Sequence, residues 1–398
     1  MGNNDLVFRR YERGVSPLNY DFQAITGIIS RVGQVMEPAI DGLRAPDAAF
    51  PHMRELELDA VDVELIYRQC SLAVLLGLER NWPVPDLIEF VQLYARVQTL
   101  ILNNIDTHLD LSGSYGRSDA ARLSGDVRNA LCYVPYSVLS GIALAKNLPG
   151  ERLWASIQCM ARTTRYIIEC IHDDYHDRFN EDHLTNPLGL VRRYADPVRS
   201  RHLGSGFYLS TVESLNALFG QQTAPAFADV LGEMRILRQR VDELADLRQD
   251  IMTGLVTYPV ALALWHSERA GGGLADLVRS VWVECRLVAE SYVGNARESI
   301  AIGVDSARTQ KLYAELGGEL VASPAIATCV SEAETKAYRI VQAARRVLPA
   351  GEAECIEVIV NLKRAFLDRL VAAEFEDLPP PHSFEDMRTS VIGKITYT

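Results

Sequence analysis

The sequence predicts an all-α chain folded as one large helical bundle around a central cavity. Three observations point there. Apolar residues recur at i, i+3, i+4 and i+7 through most of the 398 residues, strand-like alternation is absent, and the periodic segments are separated by Pro or Gly breaks. Several segments are apolar on more than one face, which marks central helices rather than a single amphipathic layer. Inward-projecting side chains of such helices can build a ligand site in the bundle core.

Taken in order, residues 1–54 carry Pro17, Pro38, Pro46 and Pro51 around one helical segment near Phe22 to Met36, and read as an N-terminal arm. A single helical domain is expected over 55–375, with helices near 57–80, 84–111, 118–147, 150–182, 205–220, 223–252, 255–270, 274–302, 306–317, 331–347 and 351–375. Pro83, Gly113, Pro149, Pro187, Pro197, Gly271-Gly272-Gly273 and Pro349 punctuate them. No repeat of fixed period is present. The tail 376–398, with Pro379-Pro380-Pro381, reads as extended.

Composition narrows the function. Hydrophobic residues are 48%, charged residues 23% and the net charge is −12, the profile of a globular chain that does not bind nucleic acid or an anionic membrane surface through bulk charge. No run of 18 uncharged apolar residues occurs, so no transmembrane helix is expected, and Met1 to Arg13 has no apolar signal core. Seven scattered cysteines without a CxxC pair read as reduced, buried thiols in a cytoplasmic protein.

The stretch from Gln239 to Pro259 carries the chemistry. Asp242, Asp246 and Asp250 recur every four residues and form a nearly axial stripe of carboxylates on a helix. Each like-charge i,i+4 pair costs about 0.2–0.5 kcal/mol, so a cation is the natural compensator. Oxygen ligands of this kind suit Mg2+, which keeps its waters and needs one or two carboxylates. Alone, the stripe reads either as a solvated acidic face or as a metal-binding wall.

Gln239, Asp242, Glu243 and Asp246, followed by Gly254, Thr257 and Pro259, resemble the second aspartate-rich region of trans-type prenyl diphosphate synthases. That region has a Gln three before Asp-Asp-x-x-Asp and then Gly-Lys-x-Thr-x-Pro; the lysine position here holds Leu255. The four-residue spacing is also similar to the metal motif of class I terpene cyclases. The resemblance implies the isoprenoid synthase fold over about 55–264 and 331–375, with 265–330 as a helical insertion, and a scaffold that is commonly a homodimer.

The same resemblance assigns the other wall. Asn103-Asn104-Ile-Asp106 with Asp110 resembles a degenerate first aspartate-rich motif, so Asn103, Asp106 and Asp110 are implied to help Asp242, Asp246 and Asp250 hold Mg2+. Arg117, Arg199 and Arg201 are the implied diphosphate ligands. Asp173, Asp174 and Asp177 spell a literal DDxxD, an alternative metal motif that stands too close in sequence to Asp242 for the two-motif scaffold.

The resemblance also implies basic positions for a second, homoallylic diphosphate, and these are reduced: Arg44 and Arg54 are the only arginines or lysines in 44–54, and Gly204 stands where the family has a lysine. Each lost charge-assisted contact is worth about 1.5–3 kcal/mol. The expected activity is therefore a terpene synthase or cyclase that ionises one allylic prenyl diphosphate with Mg2+ and releases pyrophosphate. The alternatives are a prenyl diphosphate synthase or other prenyltransferase, and a non-catalytic prenyl-binding subunit of the same fold.

Overall fold

The computed structural model describes residues 22–44, 63–94, 150–159, 178–195, 207–291 and 307–372, apart from single positions 93, 153, 157, 246 and 253. Among the described residues every regular element is helical and none is a strand. The helices are α1 (Phe22–Arg44), α2 (Val63–Glu79), α3 (Glu181–Thr185), α4 (Pro187–Ala195), α5 (Phe207–Leu218) and α6 (Pro225–Ala245). They continue with α7 (Leu247–Met252), α8 (Tyr258–Ala270), α9 (Leu274–Ser291), α10 (Ala307–Ala322), α11 (Pro324–Val347) and α12 (Ala350–Ala372). Further helical turns lie at 84–92 and 150–159. The helix expected at 118–147, and most of those at 84–111 and 150–182, fall outside the described residues.

Two helices have no solvent side along part of their length. Every residue from Cys70 to Leu76 in α2, and from Tyr258 to Leu264 in α8, is buried. A helix buried all round needs neighbours all round. Helix α2 packs against α1, α5 and α12, and α8 against α4, α6, α9 and α11. Helix α6 runs between these groups, packed on α5, α8, α11 and α12. The buried apolar side chains of all of them join one core cluster.

Helix α1 buries Val32, Val35, Met36, Ala39 and Ile40, the spacing of one helical face. The sequence places its end near Met36 because Pro38 follows, yet the helix continues through Pro38 to Arg44. An interior proline costs about 3 kcal/mol. Burial of Ala39 and Ile40 beyond it offsets that cost at about 25 cal/mol per Å2 of apolar surface.

The break after α10 also differs from the expected one. Gly317-Gly318 lie inside α10, held by Leu316 and Leu320, which have no exposed surface. The chain turns instead at Ser323-Pro324. Oγ of Ser323 accepts from the Ala325 N–H at 3.2 Å, and Pro324 occupies the first turn of α11, where its missing N–H is not needed. Within the stretch 265–330, Val278, Val281, Trp282 and Cys285 of α9 and Leu316 and Leu320 of α10 belong to the main core cluster. No helix of the described residues is long and apolar enough to cross a membrane.

Candidate functional site

The acidic stretch lies at the C-terminal end of α6 and continues into α7, with position 246 outside the described residues. Adjacent acids have opposite fates here. Successive helical residues point about 100° apart, and α6 presents one of the pair Asp242-Glu243 outward and the other inward. The Asp242 side chain is 31% exposed, whereas that of Glu243 is 2% exposed. Position 243, which matches the second acid of the Asp-Asp pair, therefore faces the core.

What holds Glu243 there is a circuit of buried contacts. Arg240 donates through Nη1 to Oε2 of Glu243 at 2.8 Å and through Nη2 to the Tyr194 carbonyl of α4 at 3.0 Å. Its guanidinium lies over the Tyr258 ring at 3.8 Å, a cation–π contact with the first residue of α8. Tyr258 donates to Oε1 of Glu332 in α11 at 3.3 Å, and Tyr194 donates to the Val256 carbonyl at 2.8 Å. Arg240 thus joins α6 to α4 and α8, and Tyr194 extends the circuit to the loop between α7 and α8. Burial pushes the Glu243 carboxyl up against the pull of Arg240, and burial, then the Glu332 charge, push the Tyr258 phenol up. An ion pair this deep is retained only because its remaining donors are matched.

Loop 254–257 explains the Gly-x-x-Thr-x-Pro signature in structural terms. Gly254 has φ +85, and its carbonyl accepts from the Phe179 N–H at 2.7 Å. A Cβ there would meet the Phe179 ring at 2.6 Å. Both conformation and space demand glycine. Phe179 in turn packs edge-on against Trp282 of α9, with centroids 5.7 Å apart. Thr257 is the N-cap residue of α8, followed by Pro259 in the first turn; its Oγ1 is buried and makes no hydrogen bond among the described residues.

Asp242 accepts from Nε of Arg238 at 3.1 Å. Asp250 is half-buried on α7, whose Leu247, Ile251 and Met252 are buried, and α7 packs on α9. The stretch expected as an insertion thus buttresses the helix that carries Asp250. Asp246, Asn103, Asp106, Asp110, Arg117, Arg199, Arg201, Asp173, Asp174 and Asp177 lie outside the described residues. Among the described residues no group of three or more His, Cys, Asp or Glu is gathered in metal-binding geometry. Of the acidic stripe, the described residues include Asp242 near the end of α6 and Asp250 on α7.

Neither a protein-family profile nor a curated protein sequence matches this chain. Solved structures do. A polyprenyl synthase from Caulobacter crescentus CB15, complexed with calcium and isoprenyl diphosphate, is similar with a TM-score of 0.53 at 13% identity, over 85% of this chain and 97% of that one. A decaprenyl diphosphate synthase from Rhodobacter capsulatus is similar with a TM-score of 0.50 at 14% identity, over 86% and 99%. This chain has the isoprenoid synthase fold.

The acidic end of α6 belongs to a bundle in which α2 and α8 are buried on all sides over part of their length. Four residues of the site were not singled out by the sequence: Arg238, Arg240, Tyr194 and Glu332. Arg238 and Arg240 carried a signal, since they stand four residues before Asp242 and three before Glu243. Tyr194 and Glu332 carried none, because only the packing of α4 and α11 brings them to α6.

Proposed function

We propose that this chain is a prenyltransferase of the prenyl diphosphate synthase type, acting on an allylic prenyl diphosphate with a divalent cation, Mg2+ in the first instance. The observation that carries this reading is the end-to-end likeness of its fold to a synthase complexed with calcium and isoprenyl diphosphate. The two similar structures described above are of a polyprenyl synthase and a decaprenyl diphosphate synthase, which supports transfer or elongation ahead of cyclisation.

The residues fit the ion in kind. Asp242, Asp246 and Asp250 would hold it: the donors are all carboxylate oxygens, Asp242 and Asp250 are half-buried rather than sealed in the core, and a Mg2+ that keeps its waters needs only one or two such groups. The bound ion supplies neutralisation of the leaving diphosphate. Asn103, Asp106 and Asp110 form the proposed opposite wall, with Asp173, Asp174 and Asp177 as the alternative. Arg117, Arg199 and Arg201 orient the diphosphate. Arg240 and Glu243 keep the end of α6 fixed against α4 and α8, so Asp242 is presented on a rigid element. The apolar helices exclude water from the carbocation that follows ionisation.

A cyclase is the second reading, favoured by the reduced basic set at Arg44, Arg54 and Gly204. Incubation with Mg2+ and geranyl, farnesyl or geranylgeranyl diphosphate, with and without isopentenyl diphosphate, separates the two. Longer diphosphates formed only with isopentenyl diphosphate are expected. A hydrocarbon or terpenol from one substrate alone would transfer the assignment to the cyclase, and bound substrate without pyrophosphate release would make the chain a prenyl-binding subunit. Replacing Asp242→Asn together with Asp246→Asn is expected to abolish turnover and leave the circular dichroism unchanged; retained turnover would refute the metal assignment.

A further inference from the structure

Counted in steps of four, the ladder of acids does not begin with Asp242. One step earlier stands Arg238, so positions 238, 242, 246 and 250 run arginine, aspartate, aspartate, aspartate. Nε of Arg238 donates to Oδ2 of Asp242 at 3.1 Å, with the arginine side chain 11% exposed. Helix stability does not account for this order. A base four residues before an acid is the less favourable orientation, and a carboxylate in the last turn of a helix opposes the helix dipole. Asp242 is three residues from the end of α6 at Ala245. Its negative charge is placed against the grain of the helix and held there by a mostly buried arginine.

We infer that Arg238 is the resident counter-ion of the proposed metal site: a divalent ion displaces it from Asp242, and the guanidinium, having given up that one bond, pairs with the diphosphate that arrives with the ion. This rests on the metal-and-diphosphate reading of the site. An oxygen of Asp242 that accepts from a guanidinium is not free for an ion, so the arginine competes with metal when no diphosphate is present. Once the ion is bound, the two cations repel each other, and an arriving diphosphate relieves that repulsion. Diphosphate oxygens match its planar fork, which can donate to two of them at once. The consequence is coupled loading, with metal alone bound weakly and metal plus diphosphate bound together. Arg238 also supplies a base to a site whose implied diphosphate arginines are few.

Calorimetric titration of the full chain with Mg2+ alone, with Ca2+ alone, and with inorganic pyrophosphate in excess Mg2+ tests this without reference to turnover. Removing a competing cation whose carboxylate partner is 31% exposed is worth up to about 1 kcal/mol, so Arg238→Met is expected to bind either metal alone about threefold to fivefold more tightly. Losing a charge-assisted contact of about 1.5–3 kcal/mol weakens its pyrophosphate binding by about tenfold or more. Metal affinity that is unchanged or lower in Arg238→Met overturns the counter-ion role, and undiminished pyrophosphate affinity overturns the hand-over. Should Arg238→Met fail to fold, Arg238→Lys carries the test: metal affinity stays at the wild-type value while pyrophosphate affinity falls, and no change in either contradicts the inference. If the wild-type chain binds no pyrophosphate with Mg2+, or Asp242→Asn leaves metal uptake intact, the reading of the site itself fails, a result distinct from any failure of Arg238.

Discussion

Two buried arginine–glutamate pairs stand near opposite ends of α6, and they hold the fold in different ways. At the C-terminal end, Arg240 and Glu243 are three residues apart on one helix; the reach across the fold is made by the arginine's other contacts, to Tyr194, Tyr258 and through it Glu332. At the N-terminal end, Arg80 and Glu352 are 272 residues apart, and the ion pair itself crosses the fold, bidentate at 2.9 and 2.8 Å. Arg80 also donates to Asn216 and Gln221 in the chain leading to α6, and Trp82 stacks on Phe219 with centroids 3.9 Å apart. Arg240 lies far along the 21-residue helix from Pro225, about 23 Å at 1.5 Å per residue. The difference shows where function can sit. The Arg80 knot ties the loops after α2 and α5 to the first turn of α12, while the Arg240 knot ties down the end of α6 two residues before a half-exposed aspartate.

Stability measurements would rank the two knots. The largest effect is expected for Arg240→Met, because Glu243 would be left in the core without its partner; about 3–5 kcal/mol should be lost in urea unfolding. Adding Glu243→Leu should recover most of that loss, since an apolar pair replaces an ionic one with little penalty. Arg80→Met should cost less, about 1–3 kcal/mol, because its pair is 16% and 11% exposed and water reaches the orphaned carboxylate. A larger loss at Arg80 than at Arg240 would mean that the span of the pair, not its burial, decides. Gly254→Ala comes last, at about 1–2 kcal/mol for the strained backbone and the displaced Phe179 ring. Its effect on turnover should exceed its effect on the unfolding midpoint, because the change lies in the loop between Asp250 and α8.

The all-α class was legible because apolar spacing of 3.6 residues needs no tertiary knowledge, and α1, α9 and α11 follow it closely. Element ends were less legible. Pro38 and Gly317-Gly318 are locally helix-breaking, and only the core contacts of Ala39, Ile40, Leu316 and Leu320 override them. In the site, periodicity gave the stripe of Asp242 and Asp250. It could not show that Glu243 turns inward, since that depends on Tyr194 and Glu332, far away in sequence. Arg238 was within reach of the same four-residue count that found the stripe. Arg80–Glu352 was beyond any local pattern.

Each knot has a cysteine beside it. Cys329 is buried where the charges of Arg240, Glu243 and Glu332 act on it, and Cys355 where those of Glu79, Arg31 and Glu352 do. Burial pushes the Cys355 thiol up to about 12 and the Cys329 thiol higher still, so neither is a nucleophile while its surroundings stay closed. Alkylation then proceeds through transient opening, and each sulfur acts as a native clock for its own end of the molecule. Mass spectrometry of the two peptides after timed labelling would report, from one untouched sample, how often the acid-bearing end breathes relative to the loop-tying end. Diphosphate that fixes the acid-bearing end would slow one clock and leave the other running.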